Sequence, residues 1–194
     1  IALASERAAH MVNQLLAMAR AEDREQALNL GEVPLAALAI ETVEDFVPRA
    51  LARRIDLGYE GPAAHEPLPA LRGQPVLVRE LVRNLVDNAL LYTPPGGTVT
   101  VRVAHDAAAA ELVLQVEDSG PGIPEAEREL VFRPFYRALG TQVEGSGLGL
   151  AIVREIAAQH GAVVSVADAH PQADASAPGA CFTVRFPCGA AGEG

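Results

Sequence analysis

Apolar and polar positions alternate along this chain in more than one rhythm, and each rhythm predicts a different element. At the start, Ala4, Ala8, Met11, Leu15 and Met18 are spaced by fours and threes, the seam of a helix that packs on a partner helix. The seam stops at the charged run Glu22-Asp-Arg-Glu25, which predicts one helix over the first 23 residues and a linker after it. From about residue 30 the pattern changes. A short strand is expected at about Asn29–Val33, a helix over Leu35–Arg54 and a strand at Ile55–Glu60. Three prolines between Pro62 and Pro69 make that stretch a loop. A second long helix follows over Gln74–Leu91, ended by the turn Pro94-Pro-Gly-Gly97.

Strict alternation over Val99–Ala104 and Leu112–Asp118 predicts a pair of antiparallel strands. A short helix over Pro124–Val131, a helix over Gly147–His160, and strands at Ala162–Ala167 and Ala180–Phe186 complete the pattern. The small residues of His170–Pro178 form a hairpin loop, and the last six residues are expected to be disordered. Periodicity therefore predicts an α+β fold of packed layers, preceded by a separate helix.

The second long helix carries a polar stripe. Glu80, Asn84, Asn88 and Leu91 share one face, while Leu77, Val78, Leu81, Leu85, Val86 and Ala89 occupy the other. Asparagine is a mediocre helix former, so two on one face weaken the helix unless they meet a ligand. Two glycine elements follow this helix. Asp118-Ser-Gly-Pro-Gly-Ile123 places a carboxylate at a strand end beside a glycine turn, where it can accept from a purine amino group. Gly145-Ser-Gly-Leu-Gly-Leu150 opens a helix, where phosphates can approach backbone N–H groups. An asparagine carbonyl suits magnesium, which keeps waters and phosphate oxygens as its other ligands. The combination predicts ATP with Mg2+.

Composition narrows the class. With 25 acidic against 15 basic residues the net charge is −10, which argues against a nucleic-acid surface. No apolar run approaches the roughly 18 residues of a membrane span, and the pattern suits a soluble cytoplasmic module. Cys181 and Cys188 come without a Cys or His cluster at zinc spacing and read as two reduced thiols.

At these residues the chain resembles the sensor histidine kinases of two-component systems. Glu80-Leu-Val-Arg-Asn84-Leu-Val-Asp-Asn88-Ala-Leu-Leu-Tyr92-Thr-Pro is similar to their N box, the two glycine elements to their G1 and G2 boxes, and Phe132-Arg-Pro-Phe135-Tyr-Arg137 to their F box. The resemblance implies the two-layer ATP-binding fold shared with gyrase and Hsp90, here over residues 26–194. Residues 1–25 are similar to the second helix of the dimerisation hairpin, and their wording resembles the branch of tricarboxylate-transport and quorum-type sensors. Implied partners are ATP, the hairpin of the same kinase in a homodimer, and the receiver domain of a response regulator. The implied location is the cytoplasmic side of a bacterial inner membrane.

Residue roles follow from the same resemblance. Asn88 is the magnesium ligand and Asn84 its neighbour toward the phosphates; in the hydrolytic branches of the superfamily a glutamate that activates water stands at the latter site. An amide cannot act as a base, so ATP is kept for transfer. Asp118 accepts from the adenine amino group, with Gly120 and Gly122 letting the turn pass the base. Tyr92 caps the adenine, and Ile123 and Leu150 form its apolar walls. Gly145, Ser146, Gly147, Leu148 and Gly149 bind phosphate, and Arg137 stands where a short lid, residues 138–144, leaves toward them. Phe132 and Phe135 either fill the core or anchor that lid.

Two departures stand out. Leu91 occupies the place of a usual lysine. No histidine lies in the His-Glu-x-Arg-Thr-Pro context of a phosphoacceptor, and His65-Glu-Pro-Leu-Pro69 is barred from a helix by its prolines. Two rival functions remain at this point: an anti-sigma-type serine kinase, which shares the boxes, and a non-catalytic nucleotide-binding module.

Overall fold

In the computed structural model, residues 30–136, 147–170 and 177–189 are described. The expected first helix, the lid segment and the C-terminal tail fall outside the described residues. Strand β1 (Gly31–Glu32) leads into helix α1 (Leu35–Ala52) and strand β2 (Asp56–Glu60). Strand β3 (Arg72–Gly73) precedes helix α2 (Pro75–Tyr92), and strands β4 (Thr98–Asp106) and β5 (Glu111–Asp118) form a hairpin. Helix α3 (Gly149–Gln159) and strands β6 (Val163–Asp168) and β7 (Ala180–Pro187) follow.

The main sheet has five strands in the order β2-β4-β5-β7-β6. Only β2 and β4 pair in parallel; the rest of the ladder is antiparallel. The alternation read from the sequence becomes two distinct faces. Val99, Val101 and Val103, then Leu112, Leu114 and Val116, then Phe182, Val184 and Phe186 point into the core beneath the helices. On the opposite face, Arg102 bonds Glu60, Arg185 bonds Glu111, and Gln115 Nε2 donates to Thr183 Oγ1 at 3.3 Å. The fold is the expected α+β sandwich, the five-stranded sheet with helices on one side.

Helix α1 buries Leu35, Leu38, Ala39, Thr42, Val43, Phe46 and Ala50, the spacing of one helical stripe. Its Pro48 sits on the exposed side, near the helix end. Arg54 then takes a left-handed conformation (φ 57°), and the Ile55 N–H folds back onto the Ala50 carbonyl at 2.9 Å, closing the helix. Helix α2 begins with Pro75 in its first turn, where a missing N–H costs nothing. The seam between the two helices carries three ion pairs: Glu41 with Arg79, Asp45 with Arg83, and Arg49 with Asp87. The pairs rise in step along both helices, so the two run parallel. Arg83 and Arg49 also lie over the Phe46 ring, at 5.1 and 5.9 Å from its centroid.

Three details differ from the sequence reading. The first strand is only two residues long and pairs with β3, which lies between the expected loop and helix. The expected short helix over Pro124–Val131 is instead two separate 3-10 turns, Glu125–Glu127 and Leu130–Phe132. Prolines at 124 and 134 bracket a stretch too short for stable α-helix, and i→i+3 bonds are what it forms. The hairpin between β6 and β7 is extended by Ala169 and His170, whose N–H groups reach the carbonyls of Gly179 and Pro178.

The ion pairs have 29–55% of their side-chain surfaces exposed, a setting in which such a pair is worth roughly 0–1 kcal/mol. Leu85, fully buried on the core side of α2, is worth more. Leu85→Ala is expected to cost about 3 kcal/mol and Arg79→Gln about 0.5 kcal/mol, measured by urea unfolding.

Candidate functional site

The polar stripe of α2 points into the molecule rather than into bulk water. Asn84 is 8% exposed, although it is a polar residue among Leu81, Leu85 and Val86. Its amide nitrogen donates to the Glu80 carbonyl at 2.8 Å and to Glu80 Oε1 at 3.1 Å. Those two bonds orient the amide, so its oxygen faces the start of α3. A methyl group on Gly149 would sit 3.1 Å from Asn84 Oδ1, so glycine there lets α3 open directly against the amide. Asn88, one turn further on, is half-buried on the same face, and Tyr92 is half-buried in the last turn.

The first turn of α3 is chemically suited to an anion. Leu148, the residue before it, is buried, and neither a side-chain cap nor an acidic residue occupies the turn. The helix dipole adds partial positive charge at its leading N–H groups. Gly147 accepts from the Phe135 N–H at 2.8 Å, which brings the F-box-like segment to the glycine run. The two aromatics of that segment part company. Phe132 is buried and meets Phe182 edge-on at 6.1 Å, whereas Phe135 is 68% exposed with φ 62°. Core filling holds for Phe132 and fails for Phe135, whose backbone is committed to Gly147.

Asp118 ends β5 and is 4% exposed. Its Oδ1 accepts from the Gly120 N–H at 2.8 Å and from the Ala180 N–H at 3.3 Å. Burial pushes its pKa up from the ordinary carboxylate value to about 6, the two N–H groups pulling the other way. Near neutral pH the group is thus an ionised acceptor, and Oδ2 carries neither of those bonds. Gly120 lies against the end of α2, since a side chain there would come within 3.0 Å of the Tyr92 carbonyl. Ile123 and Leu150 are half-buried and pack against the core. Gly122 turns the chain beneath Pro178 and Gly179.

That last contact is an element the sequence reading missed. Gly179 has φ 67°, and a Cβ on it would fall 2.1 Å from the Asp118 carbonyl oxygen. Its N–H donates to Gly120 O at 3.0 Å, and the next N–H, that of Ala180, reaches the Asp118 carboxylate. The start of β7 is therefore one wall of the site. The Pro178-Gly179 dipeptide just before a strand was the available signal.

Among the described residues the structure brings Asn84 to Gly149, Asp118 to Gly120 and Ala180, and Gly120 to Tyr92. Arg137, Gly145 and Ser146 lie outside the described residues. No group of three or more His, Cys, Asp or Glu side chains able to hold a metal ion occurs among them.

Residues 73–190, more than half of the chain, match the family described as histidine kinase-, DNA gyrase B-, and HSP90-like ATPase. The signal transduction histidine-protein kinase/phosphatase MprB of Mycobacterium sp. (strain KMS) is 41% identical over 149 residues, 76% of this chain and 28% of that protein. The sensor protein QseC of Salmonella typhi is 37% identical over 164 residues, 84% of this chain and 34% of that protein. The solved structure of full-length ShkA in complex with AMPPNP superposes with a TM-score of 0.76 at 27% identity, covering 94% of this chain and 36% of that one. The chain thus spans about a third of the length of the curated relatives it matches. A buried acceptor at a strand end, an asparagine-bearing helix and a glycine-opened helix meet in one place here, and the chain belongs to the histidine kinase-, DNA gyrase B- and HSP90-like ATPase family, on its histidine kinase branch.

Proposed function

We propose that this chain holds Mg2+–ATP and delivers the γ-phosphoryl group to a histidine on the dimerisation hairpin of its own kinase, for onward transfer to an aspartate of a response regulator. The observation that carries this reading is the Asn84 amide lying against the opening glycine of α3. A helix N-terminus that suits phosphates there meets a side chain that cannot deprotonate water. Transfer then depends on holding ATP in line with an acceptor, where positioning and charge neutralisation do most of the catalytic work.

Asp118 accepts from the adenine amino group. Gly147, Leu148 and Gly149 present backbone toward the phosphates, in the reading that also includes Gly145 and Ser146. Asn88 binds the metal through its side-chain oxygen, the phosphates and waters supplying the other ligands, which fits the lack of a protein cage among the described residues. Tyr92, Ile123 and Leu150 enclose the base, and Arg137 neutralises charge at the lid. Residues 26–194 form the catalytic unit and 1–25 the end of the hairpin, in the cytoplasmic part of a membrane sensor that works as a homodimer. No helix among the described residues is long and apolar enough to cross a membrane.

The buried carboxylate makes function and stability pull apart. Its folded pKa of about 6 lies above the ordinary carboxylate value of 3.8, so the folded state holds that proton more tightly than the unfolded chain. Stability from this group is full below pH 4 and is lost as pH rises through about 6, a cost of about 2–3 kcal/mol at neutral pH. Asp118→Asn keeps an oxygen for the Gly120 and Ala180 N–H groups and removes the charge. It is expected to raise the thermal midpoint at pH 7.5 while lowering ATP affinity at least tenfold. In the parent, ATP affinity should fall as pH drops below about 6, where the acceptor takes up a proton. Calorimetric titration together with thermal melts reads both effects; an Asp118→Asn chain that binds ATP like the parent would remove the adenine assignment.

Asn88→Ala is expected to weaken ATP binding in magnesium by about tenfold. The difference should nearly vanish when magnesium is left out of both titrations, and a loss of equal size without the metal would move Asn88 from metal ligand to direct phosphate contact.

For the reaction itself, labelled ATP is supplied to the chain alone and with a separate hairpin carrying the phosphoacceptor histidine. Acid-labile label is expected on the hairpin only, because His10, His65, His105, His160 and His170 all lack the acceptor context. Label on the chain alone would overturn this assignment of its histidines, and no label on a matched hairpin would favour a non-catalytic nucleotide-binding module.

A further inference from the structure

Arg128 joins two parts of the chain that are distant in sequence. Its Nε donates to the Ile123 carbonyl at 3.1 Å, and a terminal nitrogen bonds Asp168 Oδ1 at 2.6 Å. Local structure aims it there. The 3-10 turn Glu125–Glu127 reverses the chain, so the residue that caps the turn faces back toward the carbonyl five positions earlier. The pair is also sheltered: its Arg128 side chain is 26% exposed, against 37–44% for the arginines of the other described ion pairs. Two charge-assisted bonds in that setting restrain geometry better than a single surface pair does.

The far end of this tie is as informative as the near end. Asp168 is the last residue of β6 and pairs in register with Ala180, whose N–H bonds the Asp118 carboxylate. Arg128 therefore closes a circuit that runs from Asp118 through Ala180 and Asp168 back to Ile123. Asp118 and Ile123 bound the two ends of the glycine turn that the base is read against.

We propose that Arg128 is a positioning residue for nucleotide binding, which holds the Ile123 side of the base slot at a fixed distance from Asp118 without touching the ligand. This rests on the ATP reading above and extends it to a residue outside the glycine elements. Because the tie acts on the base side, its loss weakens ATP and ADP by the same factor and leaves the magnesium dependence unchanged. A residue that met the phosphates would weaken ATP more than ADP.

The experiment titrates ATP and ADP, with and without magnesium, into the parent, Arg128→Ala, Arg128→Lys and Asp168→Asn, with a thermal melt of each. Arg128→Ala is expected to lose about tenfold for both nucleotides. Arg128→Lys keeps the charge near Asp168 but not the fork that reaches Ile123, and should recover part of that loss. Asp168→Asn, which leaves Arg128 in place, should lose less than Arg128→Ala and keeps the test open if Arg128→Ala does not fold. Affinity within twofold of the parent in folded Arg128→Ala or Asp168→Asn overturns the proposal. So does a loss confined to ATP, or one that tracks unfolding at the assay temperature. A parent that binds no ATP overturns the underlying function instead, and the two failures are thereby distinct.

Discussion

Helix α2 has to satisfy two demands on one cylinder, and much of the architecture answers to that constraint. One side must bury Leu77, Leu81, Leu85 and Ala89 to hold the helix against the sheet. The other carries the amides that the proposed function turns toward ATP. An asparagine in a helix invites competition from the backbone, and Asn84 resolves it by spending both amide hydrogens on Glu80, four residues earlier. What remains is an oxygen with a defined direction. The same four-residue spacing that makes a core stripe thus fixes the orientation of a functional group, and α3 starts with glycine because any side chain would crowd that oxygen.

At the other end of the site the currency is desolvation. Removing Asp118 from water raises the cost of its charge, and the N–H groups of Gly120 and Ala180 offset only part of it. Packing alone would favour a neutral group. A buried ionised acceptor is therefore better explained by what it must recognise than by what it stabilises. The close backbone approach around it carries the same message, since Gly179 leaves no room for a Cβ beside the Asp118 carbonyl.

Elements with a strong local period were legible in the sequence: α1, α2, α3, the β4–β5 hairpin and the strands on either side of residues 170–178 all lie where alternation and helical spacing place them. Asn84, Asp118 and the glycines could be read because each stands within a compact run whose residue types suit one chemistry. What escaped depends on residues far apart. The three ion pairs between α1 and α2 each join positions 38 residues apart, and Arg128 reaches Asp168 across 40. A charge carries no mark of its partner in a linear reading. Strand β3 escaped for a related reason, since two residues have no period and exist as a strand only through β1.

These distant contacts also explain why α2 keeps its register against the ligand elements. At its N-terminal end the His160 ring, at the end of α3, accepts from the Gln74 N–H at 3.0 Å through Nε2 while Nδ1 bonds the Ile156 carbonyl at 2.7 Å. Those two partners require a neutral ring with its proton on Nδ1. At the C-terminal end the Arg53 guanidinium, at the end of α1, donates to the carbonyls of Leu91 and Thr93, on either side of Tyr92. One tie comes from α3, the helix proposed to meet phosphate, the other from α1, which covers the sheet beside it. A helix pinned at both ends by its neighbours cannot slide by a turn without breaking one of these part-buried contacts, so the amide at position 84 and the ring at position 92 hold their separation.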